Sequence, residues 1–403
     1  MSFQQGLSGL NAAAKNLDVI GNNIANSNTV GFKGSEAQFA DVFASSAGGA
    51  SSASIGIGTS VSAVRQTFGQ GNISITSNPL DIAINGGGFY RLDTSGSISY
   101  SRNGQFSLDK NGYIVNASGQ NLTGYPANSK GSVTTATPVK LQVSAADLVP
   151  SASTAATAGV NLDSRSTALA SAGFNATDPS TYQGATSMSV YDSLGNSHIL
   201  SLYFVKTAVN TWDTFAANDG TQIGAGPVGA LAFNANGTLT SGSPVALTLP
   251  VSSGAANISL SLDLAGTTQF GSAFGVNTLN QDGYTAGKIT GYAVGADGVV
   301  QGRYSNGQMR AQGQVALSAF TNPQGLRSLG GNQWGESSDS GPALTGAPNT
   351  GNLGVLQSGA LEDSNIDLTA ELVDMITAQR VYQANAQTIK TQDSVLQTLV
   401  NLR

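Results

Sequence analysis

The chain has 403 residues, more than a single hydrophobic core usually supports, so we expect two or three domains. Only 10% of its residues are charged and 51 are glycine, a composition that favours short strands joined by tight turns over a helical enzyme. The net charge of -6 argues against nucleic acid as a partner, and the absence of cysteine excludes disulfides, thiolate nucleophiles and most structural zinc sites.

The start of the chain predicts no cleaved signal peptide. Residues 1–6 have neither the basic region nor the beginning of an apolar core that such a signal requires. No run approaches the ~18 continuous apolar residues of a membrane-spanning helix. We therefore expect no membrane insertion, and an exported chain would need a different route.

The first predicted element is an amphipathic helix of about three heptads. Its apolar seam follows alternating spacings of four and three residues: Phe3, Leu7, Leu10, Ala14, Leu17, Gly21 and Ile24. A small-residue linker is predicted at 48–54. After it the pattern changes to the period of two that is typical of strands.

Two β regions are predicted between the ends of the chain. The predicted strands of the first are 73–75, 80–84 and 113–115. Its strongest hairpin-turn signals are Asn103-Gly104 and Asn111-Gly112. A stretch rich in Ala, Ser and Thr at 138–174 is predicted to connect this region to the second.

The second β region runs to about residue 280 and includes a predicted hairpin at 188–205. It also contains a predicted strand with alternating apolar residues: Ile258, Leu260, Leu262 and Leu264. Strands resume at 287–304 and 315–320. A Gly-, Ser- and Pro-rich linker at 330–354 then leads to the last helix.

The last predicted element is a longer amphipathic helix with Asp367 or Asn365 placed to cap its start. The same alternation continues through it: Leu368, Leu372, Met375, Gln379, Tyr382, Ala386, Ile389, Asp393, Leu396 and Val400. A lone stripe of this kind is more often an ordinary core helix. Here the β-rich remainder offers few helical partners, so we expect the two ends to lie side by side and their seam residues to mediate polymerisation.

The predicted fold is mainly β with α-helical termini, in which the two terminal helices pair as a coiled-coil-like domain and two β domains are nested between them. The terminal helical domain with its linker is predicted at 1–70 and 358–403. The first β domain is predicted at 71–144 and 285–357, and the inserted outer β domain at 145–284.

No motif for chemistry emerges from the sequence. His198 is the only histidine and is expected on the solvated surface. The glycines at 86–88 lack the flanking residues of a phosphate-binding or nucleophile loop and predict a tight turn. Residues 109–112 lack the further ligands of an EF-hand loop and predict a hairpin. We therefore predict no catalytic residue, no metal site and no cofactor.

Residues 21–33, GNNIANSNTVGFK, resemble the N-terminal signature of the axial proteins of bacterial flagella, the rod and hook family. The residues that carry this resemblance are Asn22, Asn23, Asn26, Thr29, Gly31, Phe32 and Lys33. Further stretches are similar to the same family: 78–89, 100–106, 122–126, 359–368 and 376–386. The resemblance is weakest in the inserted region.

The resemblance implies a non-enzymatic structural subunit of a helical tube whose terminal helices line an export channel. The long β insertion is typical of hook members, which implies a flexible universal joint that transmits torque from the rod and motor to the filament. The implied partners are further copies of the chain, the distal rod protein, the hook cap protein, the hook–filament junction protein and the flagellar type III export apparatus. The implied location is the extracellular part of the flagellum next to the basal body.

Three other interpretations stay open. A distal rod subunit shares the terminal helices but is shorter. A secreted β-rich adhesin or binding module would carry an exposed aromatic face, whereas Trp212 and Trp334 are far apart in the sequence. An enzyme with paired carboxylates in the inserted domain has no motif to support it.

Overall fold

The structure is a computed structural model that describes residues 2–42, 56–128 and 131–401. In this part of the chain one long helix lies at each end, and thirty strands lie between them. The prediction of a mainly β fold with α-helical termini is confirmed. The predicted linker at 48–54 lies outside the described residues.

The long helices are α1 (Ser2–Ala25) and α2 (Leu368–Asn401). The first fifteen strands are β1 (Ser35–Val42), β2 (Gly58–Gln66), β3 (Ile73–Ile75), β4 (Ile82–Asn85), β5 (Phe89–Thr94), β6 (Ser97–Ser101), β7 (Phe106–Leu108), β8 (Ile114–Asn116), β9 (Asn121–Pro126), β10 (Val139–Lys140), β11 (Ala155–Asp163), β12 (Gly184–Tyr191), β13 (Ser197–Ala208), β14 (Thr211–Asn218) and β15 (Thr221–Gln222).

The remaining strands are β16 (Gly229–Phe233), β17 (Leu239–Ser241), β18 (Val245–Leu249), β19 (Ile258–Asp263), β20 (Thr268–Phe270), β21 (Gly275–Gln281), β22 (Ile289–Val294), β23 (Val299–Tyr304), β24 (Met309–Val315), β25 (Leu317–Ala319), β26 (Arg327–Gly330), β27 (Gln333–Gly335), β28 (Leu344–Gly346), β29 (Val355–Ser358) and β30 (Ala360–Glu362).

The chain forms two compact units. The first consists of Met1–Ala145, Gly291–Arg303 and Met309–Arg403, and the second of Ala146–Thr290 and Tyr304–Gln308. The first unit therefore contains both ends of the chain, and the second is inserted into it. The finer predicted division of the first unit into a helical domain and a β domain stays a prediction.

The first unit is built on a large sheet with the main strand order β22-β23-β24-β9-β5-β6-β27-β26. Three two-stranded ribbons accompany it, β1-β2, β4-β29 and β3-β30. The last two ribbons each pair a strand from the N-terminal half with one from the C-terminal end, so the β structure itself joins the two ends of the chain. The predicted hairpin at Asn111-Gly112 is confirmed, because it connects the paired strands β7 and β8.

The prediction of a hairpin turn at Asn103-Gly104 is wrong. The flanking strands β6 and β7 pair with different neighbours rather than with each other. Gly104 instead passes so close to β4 that a Cβ at this position would lie 1.7 Å from the carbonyl oxygen of Ile82. The glycine serves close backbone approach, a requirement that looks the same in the sequence as a turn signal.

The stretch at 330–354 is also not an unstructured linker. It contains β27 and β28, which pair with β6 and β25. Trp334 in β27 is buried and contacts Phe68 and Phe89 edge to face, with ring centroids 5.4 Å and 5.7 Å away. Burial of Trp334 removes a large apolar surface from water and so stabilises this segment as part of the sheet, although glycines and serines surround it.

The second unit contains a five-stranded sheet, β18-β19-β11-β20 with β21 paired to β11, and a six-stranded sheet, β12-β13-β14-β16-β17 with β15 paired to β14. Apolar side chains from both sheets form one core around Trp212. The predicted hairpin at 188–205 is confirmed by the pairing of β12 with β13, and the predicted alternation from Ile258 is confirmed in β19.

The prediction that 138–174 only connects two domains is wrong. Residues 155–163 form β11, which pairs with β19, β20 and β21. Ala156, Ala158 and Val160 of this strand are buried in the core between the sheets. Small residues fit this central position, although in the sequence they have the composition of a linker.

His198 lies in the second unit and is buried, so the prediction that it is solvated is wrong. Its Nδ1 lies 2.7 Å from Oδ2 of Asp219, and its Nε2 lies 3.4 Å from Oδ2 of Asp192. The hydrogen bond with Asp219 raises the pKa of His198 above its ordinary value against the opposing effect of burial. The imidazolium thus links the turn before β13 to the turn after β14.

We expect this link to make the stability of the second unit depend on pH. The pKa of His198 is raised in the folded state. Its stabilising contribution is therefore fully present below the ordinary histidine pKa of about 6.5 and is lost as the pH rises through the raised value. His198→Gln should lower the free energy of unfolding by about 1–2 kcal/mol at pH 5.5 and by less at pH 9.

The measurement is urea unfolding followed by the fluorescence of Trp212 in a Trp334→Phe background, which confines the signal to the second unit. The matched control is Ser197→Ala, which changes an exposed neutral residue next to His198 in β13 and should have the same effect at pH 5.5 and at pH 9. A difference between His198→Gln and the parent that stays constant from pH 5.5 to pH 9 would contradict the link.

Candidate assembly site at the chain termini

Helices α1 and α2 pack side by side in the first unit and run antiparallel. Gly6 and Gly9 near the start of α1 lie against Ile389 and Asn385 in the second half of α2. At the other end of the pair, Asn23 donates a hydrogen bond to Oε1 of Glu371 at 2.9 Å. The expectation that the two ends of the chain lie side by side is confirmed.

The buried residues of α1 include three small ones, Gly6, Ala12 and Ala13, beside Ile20 and Asn23. A Cβ at Gly9 would lie 2.7 Å from Oδ1 of Asn385, so the absence of a side chain is what permits the close approach of the helices there. The helices therefore come closest where α1 has glycine, and not where its apolar seam residues are.

The predicted seam residues therefore occupy two environments. Five are half-buried: Leu10, Leu17, Ile24, Met375 and Ile389. Seven are exposed: Phe3, Leu7, Leu368, Leu372, Tyr382, Leu396 and Val400. The exposed residues leave a large part of their apolar surface uncovered in the helix pair. Their role in polymerisation stays a prediction.

The signature segment after α1 ends the helix and then ties it to the C-terminal part of the chain. Asn26 Nδ2 donates to the carbonyl oxygen of Asn22 at 2.9 Å, and Thr29 Oγ1 donates to Asn26 Oδ1 at 3.2 Å. Asn23 Nδ2 also donates to the carbonyl oxygen of Ser35, and its Oδ1 accepts from the Ser35 N–H. These bonds fix the direction in which β1 leaves the helix.

Gly31 and Phe32 place the chain against the large sheet. Gly31 has a φ of +69°, and a Cβ there would lie 2.6 Å from the backbone nitrogen of Asn103. Its N–H donates to the carbonyl oxygen of Glu362 at 2.8 Å. Phe32 is buried. Only glycine meets both the conformational and the steric requirement at position 31.

Lys33 completes the segment with a buried ion pair. Its Nζ lies 2.7 Å from Oε1 of Glu362, and both side chains are fully buried. The same Nζ donates to the carbonyl oxygen of Gly69 at 2.7 Å. Arg102 Nη1 lies 3.6 Å from the other oxygen of Glu362, and its Nη2 donates to the carbonyl oxygen of Gly86. Burial lowers the pKa of Lys33 against the opposing attraction of Glu362.

These three charges join distant parts of the sequence at one point, since Lys33 follows α1, Arg102 follows β6 and Glu362 ends β30. Lys33 was predicted as a signature residue, whereas no role was predicted for Arg102 or Glu362. Both lie in segments that resemble the flagellar family, which was the only available signal. Within the described residues, no cluster of three metal-ligating side chains occurs, and neither long helix is apolar enough over sufficient length to span a membrane.

The start of α2 is also fixed by the N-terminal part of the chain. Asp367 caps the helix, because its Oδ1 accepts from the N–H groups of Thr369 and Ala370 at 2.8 Å and 3.2 Å. Asn365 instead bonds to other segments, accepting from the N–H of Gly34 and donating to the carbonyl oxygen of Thr67. Of the two predicted caps, Asp367 is therefore the one used.

A cavity of about 840 Å³ lies between α1, α2 and the ribbon β1-β2. We call it the terminal groove and define it by these lining residues: Ala13, Ile20, Phe39, Ala370, Ala378 and Val381. Four carboxylates also line it: Glu36, Asp367, Glu371 and Asp374. Burial raises the pKa of Glu371 against the hydrogen bond from Asn23, and the nearby charge of Asp374 raises it further.

Comparison with known proteins identifies the family. The flagellar hook protein FlgE of Salmonella typhimurium is 44% identical over the full length of both chains, as is that of Escherichia coli K12. This chain belongs to the flagellar hook protein family. The hook protein of Borreliella burgdorferi is 33% identical over 100% of this chain and 99% of the relative. The interpretation of the chain as a structural subunit of the bacterial flagellar hook is confirmed.

Family models match successive parts of this hook family member. They describe a flagella basal body rod protein at 3–33, the flagellar hook protein FlgE/F/G D1 domain at 83–165, the flagellar basal body protein FlaE D2 domain at 161–284 and the flagellar basal body rod FlgEFG protein C-terminal region at 357–402. The crystal structure of Helicobacter pylori flagellar hook protein FlgE2 has a TM-score of 0.54 at 14% identity and covers 73% of this chain and 99% of that chain. It supports the fold.

Proposed function

We propose that the chain polymerises through its terminal helices into the flexible tube of the hook, which works as a universal joint that transmits torque from the rod and motor to the filament. One observation carries the proposal: seven apolar seam residues stay exposed after α1 and α2 have packed together, including Leu368, Leu372 and Val400. Exposed apolar stripes of this kind mark interaction surfaces. Neighbouring copies of the chain would cover them.

The proposal includes the route and the neighbours of the assembled protein. The chain would leave the cell unfolded through the flagellar type III export apparatus. In the flagellum it would contact the distal rod protein, the hook cap protein and the hook–filament junction protein at the limits of the tube. Membership of the flagellar hook family supports these partners, and catalysis has no part in this function.

The buried ion cluster supports an end-driven assembly. Lys33 and Glu362 join the segment that leaves α1 to the segment that enters α2, and so hold this end of the helix pair on the β structure. The exposed seam residues therefore lie on helices whose direction is fixed by the ion pair between Lys33 and Glu362. At the other end of the pair, the start of α1 is held by α2 at Gly6 and by the segment before β2, where Gln5 Nε2 donates to the carbonyl oxygen of Gly56 at 2.6 Å.

Removal of 368–403 should abolish tube formation while leaving the β structure folded. The expected result, by electron microscopy after salt-induced assembly, is curved tubes from the full chain and no tubes from the truncated chain. Retained fluorescence of buried Trp334 controls for folding of the first unit. Tubes from the truncated chain would contradict assembly through the terminal helices, and monodisperse full-length protein would contradict polymerisation of the chain by itself.

A further inference from the structure

Helix α2 carries two different flanks, an exposed apolar one and one that borders the terminal groove. Leu368, Leu372, Ile376 and Arg380 are spaced by four residues and follow one flank. The three apolar members are each about half exposed, at 46%, 45% and 51%. We call this row the apolar flank. Lys390 lies on the same side of the helix further along.

The opposite flank of α2 borders the terminal groove. Asp367, Glu371, Asp374 and Ala378 follow spacings of four, three and four and all line the groove. At about 100° per residue, the two rows are separated by roughly 150° around the helix axis. The apolar flank of a chain therefore cannot reach its own groove.

Charge is segregated in the same way. The groove holds four carboxylates, whereas the apolar flank carries the cations Arg380 and Lys390. Among the described residues, none of these six side chains takes part in an ion pair. The groove walls are lined by small residues such as Ala13, Ala370 and Ala378, which leave room for larger apolar side chains.

We propose that the apolar flank of α2 docks into the terminal groove of a second copy of this chain, with Arg380 and Lys390 of one copy facing Glu36 and Asp374 of the other. The proposal rests on the proposed function and adds the partner surfaces. Because flank and groove are different surfaces on different sides of one helix, the contact is heterologous, and we propose that its rotation does not close into a ring. Repetition of such a contact produces an open helical polymer rather than a symmetric dimer.

Charge reversal on each surface tests the docking. The flank variant is Arg380→Glu with Lys390→Glu, and the groove variant is Glu36→Lys with Asp374→Lys. Asp367 and Glu371 are left unchanged because they cap α2 and bond Asn23. Each variant alone should raise the protein concentration at which tubes form by about tenfold at low salt, and by less at high salt, where surface charges are screened.

An equimolar mixture of the two variants should form tubes at nearly the parent concentration, because each contact in the mixture again joins opposite charges. The matched control is Lys110→Glu with Arg327→Glu, two exposed cations on the β structure of the first unit, which should assemble like the parent. Tube formation is followed by sedimentation and electron microscopy on the full chain, and urea unfolding shows that each variant is folded.

The outcomes separate this docking from the proposed function. If both variants assemble like the parent while removal of 368–403 abolishes tubes, the helices drive assembly but this groove is not where a second copy binds. If the variants fail and their mixture also fails, the charges act within one chain and the docking is overturned. If the truncated chain still forms tubes, the proposed function itself is wrong.

Discussion

Replacing Glu362 with glutamine is expected to lower the free energy of unfolding of the first unit by about 4–5 kcal/mol, the upper part of the range for breaking a buried ion pair. Glu362 is the carboxylate that faces both Lys33 and Arg102. Its loss leaves two buried cations near each other without a counter-charge. The measurement is urea unfolding followed by Trp334 fluorescence in a Trp212→Phe background.

Lys33→Met should have a smaller effect, about 3 kcal/mol, because Arg102 and the N–H of Gly71 still face the Glu362 carboxylate. The matched control is Lys15→Met, since the pair between Lys15 and Asp18 is exposed and should contribute less than about 1 kcal/mol. Equal effects of Lys33→Met and Lys15→Met would show that the buried cluster does not hold the chain ends together.

Gly31→Ala is expected to lower the free energy of unfolding by about 3–5 kcal/mol, of which about 1–2 kcal/mol comes from the positive φ and the rest from overpacking. The added methyl group would press on the backbone between Arg102 and Asn103, at 2.6–2.7 Å. Displacing this backbone also moves the guanidinium of Arg102 relative to Glu362. The same Trp334 unfolding measurement reports the change.

Gly119→Ala separates the two causes. Gly119 has a φ of +75°, close to the +69° of Gly31, but a Cβ there would meet no atom within 4 Å. Its substitution should therefore cost only the conformational part, about 1–2 kcal/mol. Equal losses of unfolding free energy from the two substitutions would show that the close approach of Gly31 to the backbone of Asn103 does not contribute to the effect.

The regular elements follow from periodicity. The helical ends were predictable because their seams repeat every three or four residues over many turns, and β19 was predictable because Ile258, Leu260 and Leu262 alternate. The turn at Asn111-Gly112 was predictable from local backbone preference. Each of these signals depends only on neighbours in the sequence.

The errors arose where a residue type serves different tertiary roles. The small residues of β11 and the glycines around Trp334 had the composition of linkers, yet long-range strand pairing buries both segments. Gly104 indicated a turn but serves a close backbone approach. His198 lacked any local sign of the two carboxylates that surround it, since Asp219 comes from another strand end.

The candidate site shows the same division. The sequence by itself determined that both ends are amphipathic helices with apolar seams, because amphipathicity depends only on the spacing of apolar and polar residues along one helix. Only the tertiary structure decided that the helices meet through small residues such as Gly9, that Lys33 pairs with Glu362 and that the apolar side chains of Leu368 and Leu372 stay exposed. These contacts join residues more than 300 positions apart, and their geometry depends on close packing and desolvation that no local pattern records.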